Sequence, residues 1–406
     1  MTSIHCISGV IQPYAWGGYY FIADLLNLPA DPTQPKAELW MGAHPKGPAR
    51  VLMPSNGHTP LDKWIENAPV DILGQRVASQ FHGQLPFLFK VLDVRKMLSI
   101  QCHPNKEVAE RGFAREEAAG IPRLAPERIY RDANHKPELM VALTDFYLLH
   151  GFTHREAIAD RFAKRKEWSG LINLLDQGIR PLYEHLMHLP QGQINQLLTP
   201  LREELLKKEA TEAPKTDPNY WARQAFLDYS QPNGDLDRGI FSIYLMNIVH
   251  LKPGEGIFQD AGILHAYLEG VNIEIMANSD NVFRGGLTPK HIAVEELLAH
   301  TFTEPIQPEI LSGQWSSPNE KVYPTPAADF LLSEVRLTPA HPTFTFQEDS
   351  PAILLILQGK IDLKATGQRH ARGTQLFIPA GAKLHGQLAE DQISAVAYLA
   401  RVPNKK

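Results

Sequence analysis

Cysteine is scarce: Cys6 and Cys102 are the only two in 406 residues. Neither has a CxxC partner, so no thiol redox motif and no thiolate-rich zinc site is present. So few thiols suit a reducing compartment. Long apolar runs are missing as well. No stretch reaches the roughly 18–20 residues that a membrane-spanning helix needs. Met1 to Val10 hold no basic segment leading into an apolar core, so no signal peptide is expected and a cytoplasmic location is. There is no excess of positive charge either. The formal net charge is -5, and nothing global would recruit nucleic acid or an anionic membrane. An anionic small molecule would have to be met by a local basic cluster. HExxH and two-Cys/two-His spacings are also absent, so spacing alone fixes no metal site.

What is present is ordinary material for a globular protein, with 43% hydrophobic and 21% charged residues. At about 100–200 residues per domain the length corresponds to two to four domains. The 32 prolines are scattered, which favours short elements and turns. Residues 1–103 read as short strands, with Pro86–Ser99 as a buried strand pair. Asn105–Ala119 reads as a helix. Thr153-His154-Arg155-Glu156 fits a capping box, with Thr153 as N-cap. It opens a helical region in which Ile194, Leu197, Leu198, Leu201, Leu205 and Leu206 recur at helical spacing. Pro200 is expected to bend or interrupt that helix, and 208–219 reads as a polar loop. Strands return at Ile240–Leu251. Val271, Ile273 and Ile275 then alternate with Asn272, Glu274 and Met276. Thr288-Pro289 reads as the start of a helix, and 311–406 as short strands and turns. A weak internal repeat relates Gly254-x5-Asp260-x-Gly262-x2-His265 to Gly373-x5-Pro379-x-Gly381-x3-His385.

Three segments carry chemistry. In Met97–Pro104, Leu98, Ile100 and Cys102 share one strand face and Ser99, Gln101 and His103 the other. The polar face fits a solvent-facing edge strand and a ligand-holding barrel interior equally well. In Asn134–Val141, Glu138 opens an apolar run two residues after Lys136. In Gly254–Gly286, His265 follows a glycine turn, Glu274 sits in the alternating strand, and Asp280 and Arg284 follow in a loop. Gly285-Gly286 would let a backbone approach a ligand closely. Gln101, His103, Glu138 and His265 together make a nitrogen–oxygen donor set of the kind that suits zinc or a similar ion at an open, catalytic site. Lys90 interrupts an apolar run. With Lys136 and Arg284 it would form a cationic wall for a phosphate; equally, it would pair with Asp93 or Glu138.

Several blocks resemble the type I mannose-6-phosphate isomerases: Gln12–Gly18, Glu38–Pro45, Phe87–Leu92, Leu98–Pro104, His135–Glu138 and Asn278–Thr288. They lie in order from 12 to 288. The resemblance implies one zinc ion per chain, bound by Gln101, His103, Glu138 and His265. It makes Arg284 essential and places Ser99, Lys90 and Lys136 in the substrate pocket. It also implies a mainly β fold of two cupin-type jelly-roll domains with an inserted all-α helical domain. The expected boundaries are 1–153 with 239–310 for the catalytic cupin, 154–238 for the helices and 311–406 for a C-terminal cupin without metal. The implied reaction interconverts mannose 6-phosphate and fructose 6-phosphate through an enediol, in a chain expected to act as a monomer on a small-molecule sugar phosphate. Asp280, Lys136 and Glu274 stand as unranked candidates for the proton carrier. Two rival readings are an iron-holding cupin oxygenase and a non-catalytic sugar-phosphate-binding cupin. An oxygenase more often uses two histidines and one carboxylate. A decayed binder should have lost a ligand or Arg284.

Overall fold

The structure, a computed structural model, describes residues 3–29, 31–53, 57–207, 213–229, 233–364 and 367–404. Part of the expected polar loop, 208–212, lies outside them. The strands named below are, in chain order, β1 (His5–Ser8), β2 (Val10–Gln12), β3 (Glu38–Gly42), β4 (Arg50–Leu52), β5 (His58–Pro60), β6 (Phe87–Val94), β7 (Ile100–Cys102), β8 (Glu138–Ala142), β9 (Phe146–Phe152), β10 (Met246–Leu251), β11 (Gly256–Gln259), β12 (His265–Ala277) and β13 (Phe283–Gly286). The chain is mainly β-sheet, with a run of helices between 155 and 245.

β12 organises the first sheet. From Gly270 onward it pairs with β6 on one edge and β8 on the other. Its first residues pair instead with β7 and β9. The change of neighbours falls where Gly270 has φ +128°; a Cβ there would stand 2.6 Å from the Phe146 ring and 2.7 Å from Asp145 O. Only glycine tolerates that backbone and that approach. The expected alternation in β12 is realised. Val271, Ile273 and Ile275 enter one apolar layer with Phe87, Phe89, Val91, Leu139 and Val141. The same layer holds Leu332, Ile353, Leu355 and Phe377 from the C-terminal part of the chain. Asn272, Glu274 and Met276 therefore face the other way, into the concave side of the first sheet.

The second large sheet has nine strands. β1, β4 and β5 complete it, β1 pairing with Gln375–Ile378. The repeat noted in the sequence has a structural counterpart. Gly254 and Gly373 each have φ near +85° and each stands two residues before a four-residue strand; Gly262 and Gly381 repeat the left-handed turn before the next strand.

The helices bury Trp168, Tyr183, Leu186, Leu198, Trp221 and Phe241 in one core with Ile100, Cys102 and Phe283. They thus brace the backs of β7 and β13. Asn105 caps the helix Lys106–Ala118 by accepting from Val108 N at 2.9 Å, as the sequence implies.

Five local expectations are corrected. Pro86–Ser99 is one strand, β6, followed by a turn, and not a strand pair. His154, not Thr153, is the N-cap of Arg155–Ala163, because Thr153 N is already bonded to Leu245 O. Pro200 does not interrupt its helix, which runs through it from Gln191 to Leu205. Residues 239–245 are helical and only 246–251 are strand. Every residue of that helix is buried, so no polar face marked its period. Thr288-Pro289 does not open a helix; the helix there is Val294–His300. The buried Asp237 carboxylate takes the N–H groups of Gly239, Leu287 and Thr288 and holds the segment as a turn. The same turn packs Gly286 on Gly239, where a Cβ would meet Cα at 2.3 Å. Gly286 thus serves backbone packing.

Candidate metal centre and substrate pocket

Strand register explains how distant residues meet. In an antiparallel ladder, directly opposed side chains share a face. Arg284 on β13 opposes Gln101 on β7, Gln101 opposes His265 on β12, and His265 opposes His150 on β9. One row across four strands therefore carries all four side chains. A second row sets Trp40 beside Lys90, Lys90 beside Glu274 and Glu274 beside Met140. Glu138 opens β8 opposite Gln259 of β11.

His103, Glu138 and His265 come together, with one ligand atom from each within 4.8 Å of the others. The His103 ring engages Asn281 O through Nδ1 at 3.0 Å, and the His265 ring engages Ile263 O through Nδ1 at 3.0 Å. A backbone carbonyl only accepts, so each Nδ1 carries a proton and each Nε2 is the ring atom turned toward Glu138. Those Nε2 atoms stand 3.4 Å and 3.3 Å from the two oxygens of Glu138. His103 Nε2 is fully buried without a hydrogen-bond partner. Burial, with the Lys136 charge, lowers the His103 pKa to about 4, so the ring is neutral near pH 7. Burial alone would raise the Glu138 carboxyl, but Lys136, 3.1 Å away, and the two histidines outweigh it and hold it well below its ordinary value. Two imidazoles aimed at a carboxylate, with the Gln101 amide in the adjacent register, are a donor set that fits zinc. No thiolate closes the set.

These groups line a cavity of about 900 Å³. Ser99, Gln101, Lys90, Lys136, Glu138, His265, Glu274, Asp280 and Arg284 all border it. His103 lies just behind, with no exposed surface. Lys90 is not a free cation, nor does it pair with Asp93 or Glu138. Its ammonium is 2.8 Å from Glu274 and 3.7 Å from Glu38. Burial alone would lower its pKa, but the two carboxylates raise it. Glu274 in turn accepts from the Tyr267 hydroxyl at 2.9 Å, and Glu38 from the Trp40 indole.

Unpaired positive charge lies elsewhere along the wall. Arg284 has no ion-pair partner among the described residues, and burial and Arg131 both lower its pKa. Lys290 is lowered by burial and by Arg284, Lys46 and Arg131. Cations that disfavour one another's charge while bordering one cavity form a site of positive potential that an anion would relieve. Asp280 stands opposite, 2.9 Å from Lys46 Nζ and 3.6 Å from His44 Nε2. Burial opposes its ionisation, but His44 and Lys46 prevail and hold its pKa below the ordinary carboxylate value. His44, Lys46, Arg131 and Lys290 were not singled out from the sequence. His44 is the last residue but one of the block Glu38–Pro45, where its nearness to Asp280 left no sequence signal.

The family model for phosphomannose isomerase type I, catalytic domain, matches residues 4–155. Mannose-6-phosphate isomerase of Escherichia coli K12 is 38% identical over 399 residues, covering 93% of this chain and 97% of that protein. The human mannose-6-phosphate isomerase is 34% identical over 418 residues, covering 95% of each. The crystal structure of mannose 6-phosphate isomerase from Salmonella typhimurium bound to fructose 6-phosphate and zinc superposes with a TM-score of 0.85, at 35% identity, over 100% of both chains. By identity over nearly its whole length and by structure over all of it, the chain belongs to the mannose-6-phosphate isomerase family.

Proposed function

We propose that the chain is a zinc-dependent aldose–ketose isomerase that interconverts mannose 6-phosphate and fructose 6-phosphate. The observation that carries this is the pair of buried imidazoles aimed by backbone carbonyls at Glu138, inside a cavity rimmed by unpaired cations. The Salmonella relative, which holds zinc and fructose 6-phosphate, supplies the identity of both ligands. Gln101, His103, Glu138 and His265 would hold one zinc ion, which would supply Lewis acidity to the reacting end of the sugar.

The remaining chemistry belongs to the chain's own side chains. Isomerisation moves one proton between C1 and C2 through an enediol, so it needs one proton carrier that reaches both carbons. Glu274 is enclosed by Lys90 and Tyr267 and serves to hold Lys90. Lys136 lies against Glu138 and donates to a sugar oxygen. Asp280 borders the cavity as a carboxylate and is the carrier we assign. Arg284, one strand from Gln101, stabilises negative charge developing on the enediol. Arg131 and Lys290 beside it, with Ser99 on the same wall, hold the phosphate.

We also propose that both β regions are cupin-type jelly rolls, 1–153 with 239–310 and 311–406, separated by the helical insertion 154–238. The matching strand–turn–strand segments at Gly254 and Gly373 support this.

The test of the whole reading is turnover in deuterated water. Zinc-loaded protein should convert mannose 6-phosphate and place solvent deuterium on the transferred position. Asp280→Asn should retain zinc yet lose turnover by about 10²–10⁴-fold. Full turnover in that variant would remove Asp280 from the mechanism, and product with no solvent label under any condition would replace proton transfer by hydride shift.

A further inference from the structure

On the ligand face, one strand beyond the ligands, lie two buried polar side chains that the reaction does not use. Gln259 is 0% exposed, and neither its Oε1 nor its Nε2 has a hydrogen-bond partner. His150 is 5% exposed; its Nε2 reaches Phe258 O at 3.3 Å and its Nδ1 has no partner. Buried amides and imidazoles left unpaired cost about 1–3 kcal/mol each, and in native proteins such groups mark a function or a bound water.

Their positions say which function. Gln259 opposes Glu138 across the β11–β8 ladder, so the two side chains share a face. His150 opposes His265 across β9–β12 in the same way. His150 also bonds the carbonyl of the residue preceding Gln259, which sets its ring against the backbone from which Gln259 projects. Each is thus the cross-strand neighbour of a different metal ligand. Phe258 O only accepts, so His150 Nε2 carries the proton of that bond, and Nδ1 is left buried without a partner.

We infer that Gln259 and His150 are positioning residues for the metal centre. They enclose one buried water, which satisfies His150 Nδ1 and the Gln259 amide and steadies Glu138 and His265 from one strand away. A buried water makes about three hydrogen bonds, and three unpaired polar atoms are supplied by these two side chains. Groups that support the ligands set ligand orientation, and losing them lowers metal affinity by about 10–100-fold. The inference rests on the zinc-isomerase reading above.

Asn272 provides a control. It too is 0% exposed with both amide atoms unpaired, but it opposes Leu92 and Ala142, away from any ligand.

The experiment measures zinc affinity by competition with a chromophoric chelator, and the melting temperature of the zinc-free protein, for the native chain, Gln259→Met, His150→Phe, His150→Gln and Asn272→Leu. Gln259→Met and His150→Phe should bind zinc about 10–100-fold more weakly, while their zinc-free forms melt close to the native one, since replacing a polar group together with the water it holds by an apolar side chain of similar size is nearly neutral. His150→Gln, which keeps an acceptor, should recover most of the affinity, and Asn272→Leu should leave it unchanged. Zinc affinity in Gln259→Met and His150→Phe within threefold of native would overturn the inference, as would an equal loss in Asn272→Leu. Should Gln259→Met fail to fold, His150→Phe decides alone. A native chain that binds no zinc would instead overturn the reading on which the inference rests.

Discussion

Replacing Lys90 by methionine isolates the buried charge cluster beneath the pocket. Lys90 touches Glu274 at 2.8 Å and Glu38 at 3.7 Å, and all three residues are under a tenth exposed. At an effective dielectric constant near 20, these separations correspond to about 6 and 4 kcal/mol of attraction. Desolvation of the ions offsets most of that, so the intact cluster adds little net stability. Removing only the cation is different, because two carboxylates then share a buried space without a counter-ion. The folded variant escapes by protonating one of them. With an ordinary glutamate pKa near 4.3, neutralising one carboxyl costs about 1.4 kcal/mol per pH unit above that value, or about 3.7 kcal/mol at pH 7.

That figure sets the size of the loss and its pH dependence. In the variant, Glu274 has a folded pKa raised above its unfolded one, so the folded state binds a proton that the unfolded chain does not. The deficit is therefore large at pH 7 and shrinks as pH falls, to about 1 kcal/mol at pH 5. Urea unfolding of zinc-free protein at both pH values reads it directly, without linkage to bound metal. Lys90→Met with Glu274→Gln should regain most of the loss and show no such pH dependence, since one carboxylate remains and Trp40 still bonds it. A single-variant deficit below about 1 kcal/mol at pH 7, or one equal at pH 7 and pH 5, would refute the picture of a dry, charge-balanced cluster.

Three further outcomes follow from the same geometry. His265→Ala should abolish zinc retention by elemental analysis and turnover together, because it removes one of two imidazoles aimed at Glu138; stoichiometric zinc at normal rate would displace it as a ligand. Arg284→Lys keeps a charge but loses the planar fork; it should lower kcat/KM for mannose 6-phosphate by about 10²-fold with zinc content unchanged, and a native value would move the anion site elsewhere. His44 is held at about 4, mainly by burial, against an unfolded value near 6.5, so unfolding takes up a proton between those values and native stability falls as pH drops through that window. His44→Gln should remove about 2 kcal/mol of the stability lost between pH 7 and pH 5, and equal losses in both proteins would show that His44 is not neutral when folded.

The fold was legible where one periodicity dominated. Val271–Met276 alternates because one face meets an apolar layer and the other a polar cavity. Asn105 announces its helix because a cap is a local device. Arg50–Leu52 and His58–Pro60 are three-residue strands, too short to carry a period. Nothing local says that they and His5–Ser8 complete a sheet whose other strands come from the far end of the chain. Residues 239–245 failed for the opposite reason: burial on all sides erases the contrast between faces that a period needs.

The site divides along the same line. Alternation told which residues share a face, and correctly set Gln101 and Glu274 on polar ones. It could not say which strands lie side by side, and a charge's partner depends on that. For Lys90 the partners available to a sequence reading were Asp93, three positions on, and Glu138. The actual partner, Glu274, lies 184 residues away and is reached only because β6 and β12 align Lys90 with it. The row Arg284–Gln101–His265–His150 has the same origin. Its first three members stood out in the sequence singly, from alternation, a glycine turn and a loop, and the family resemblance joined them. The fourth, a lone histidine in an apolar strand, came to notice only when register set it against a metal ligand. Register is a property of paired strands and not of either one, so the neighbours a side chain gains across a ladder are what the sequence shows least.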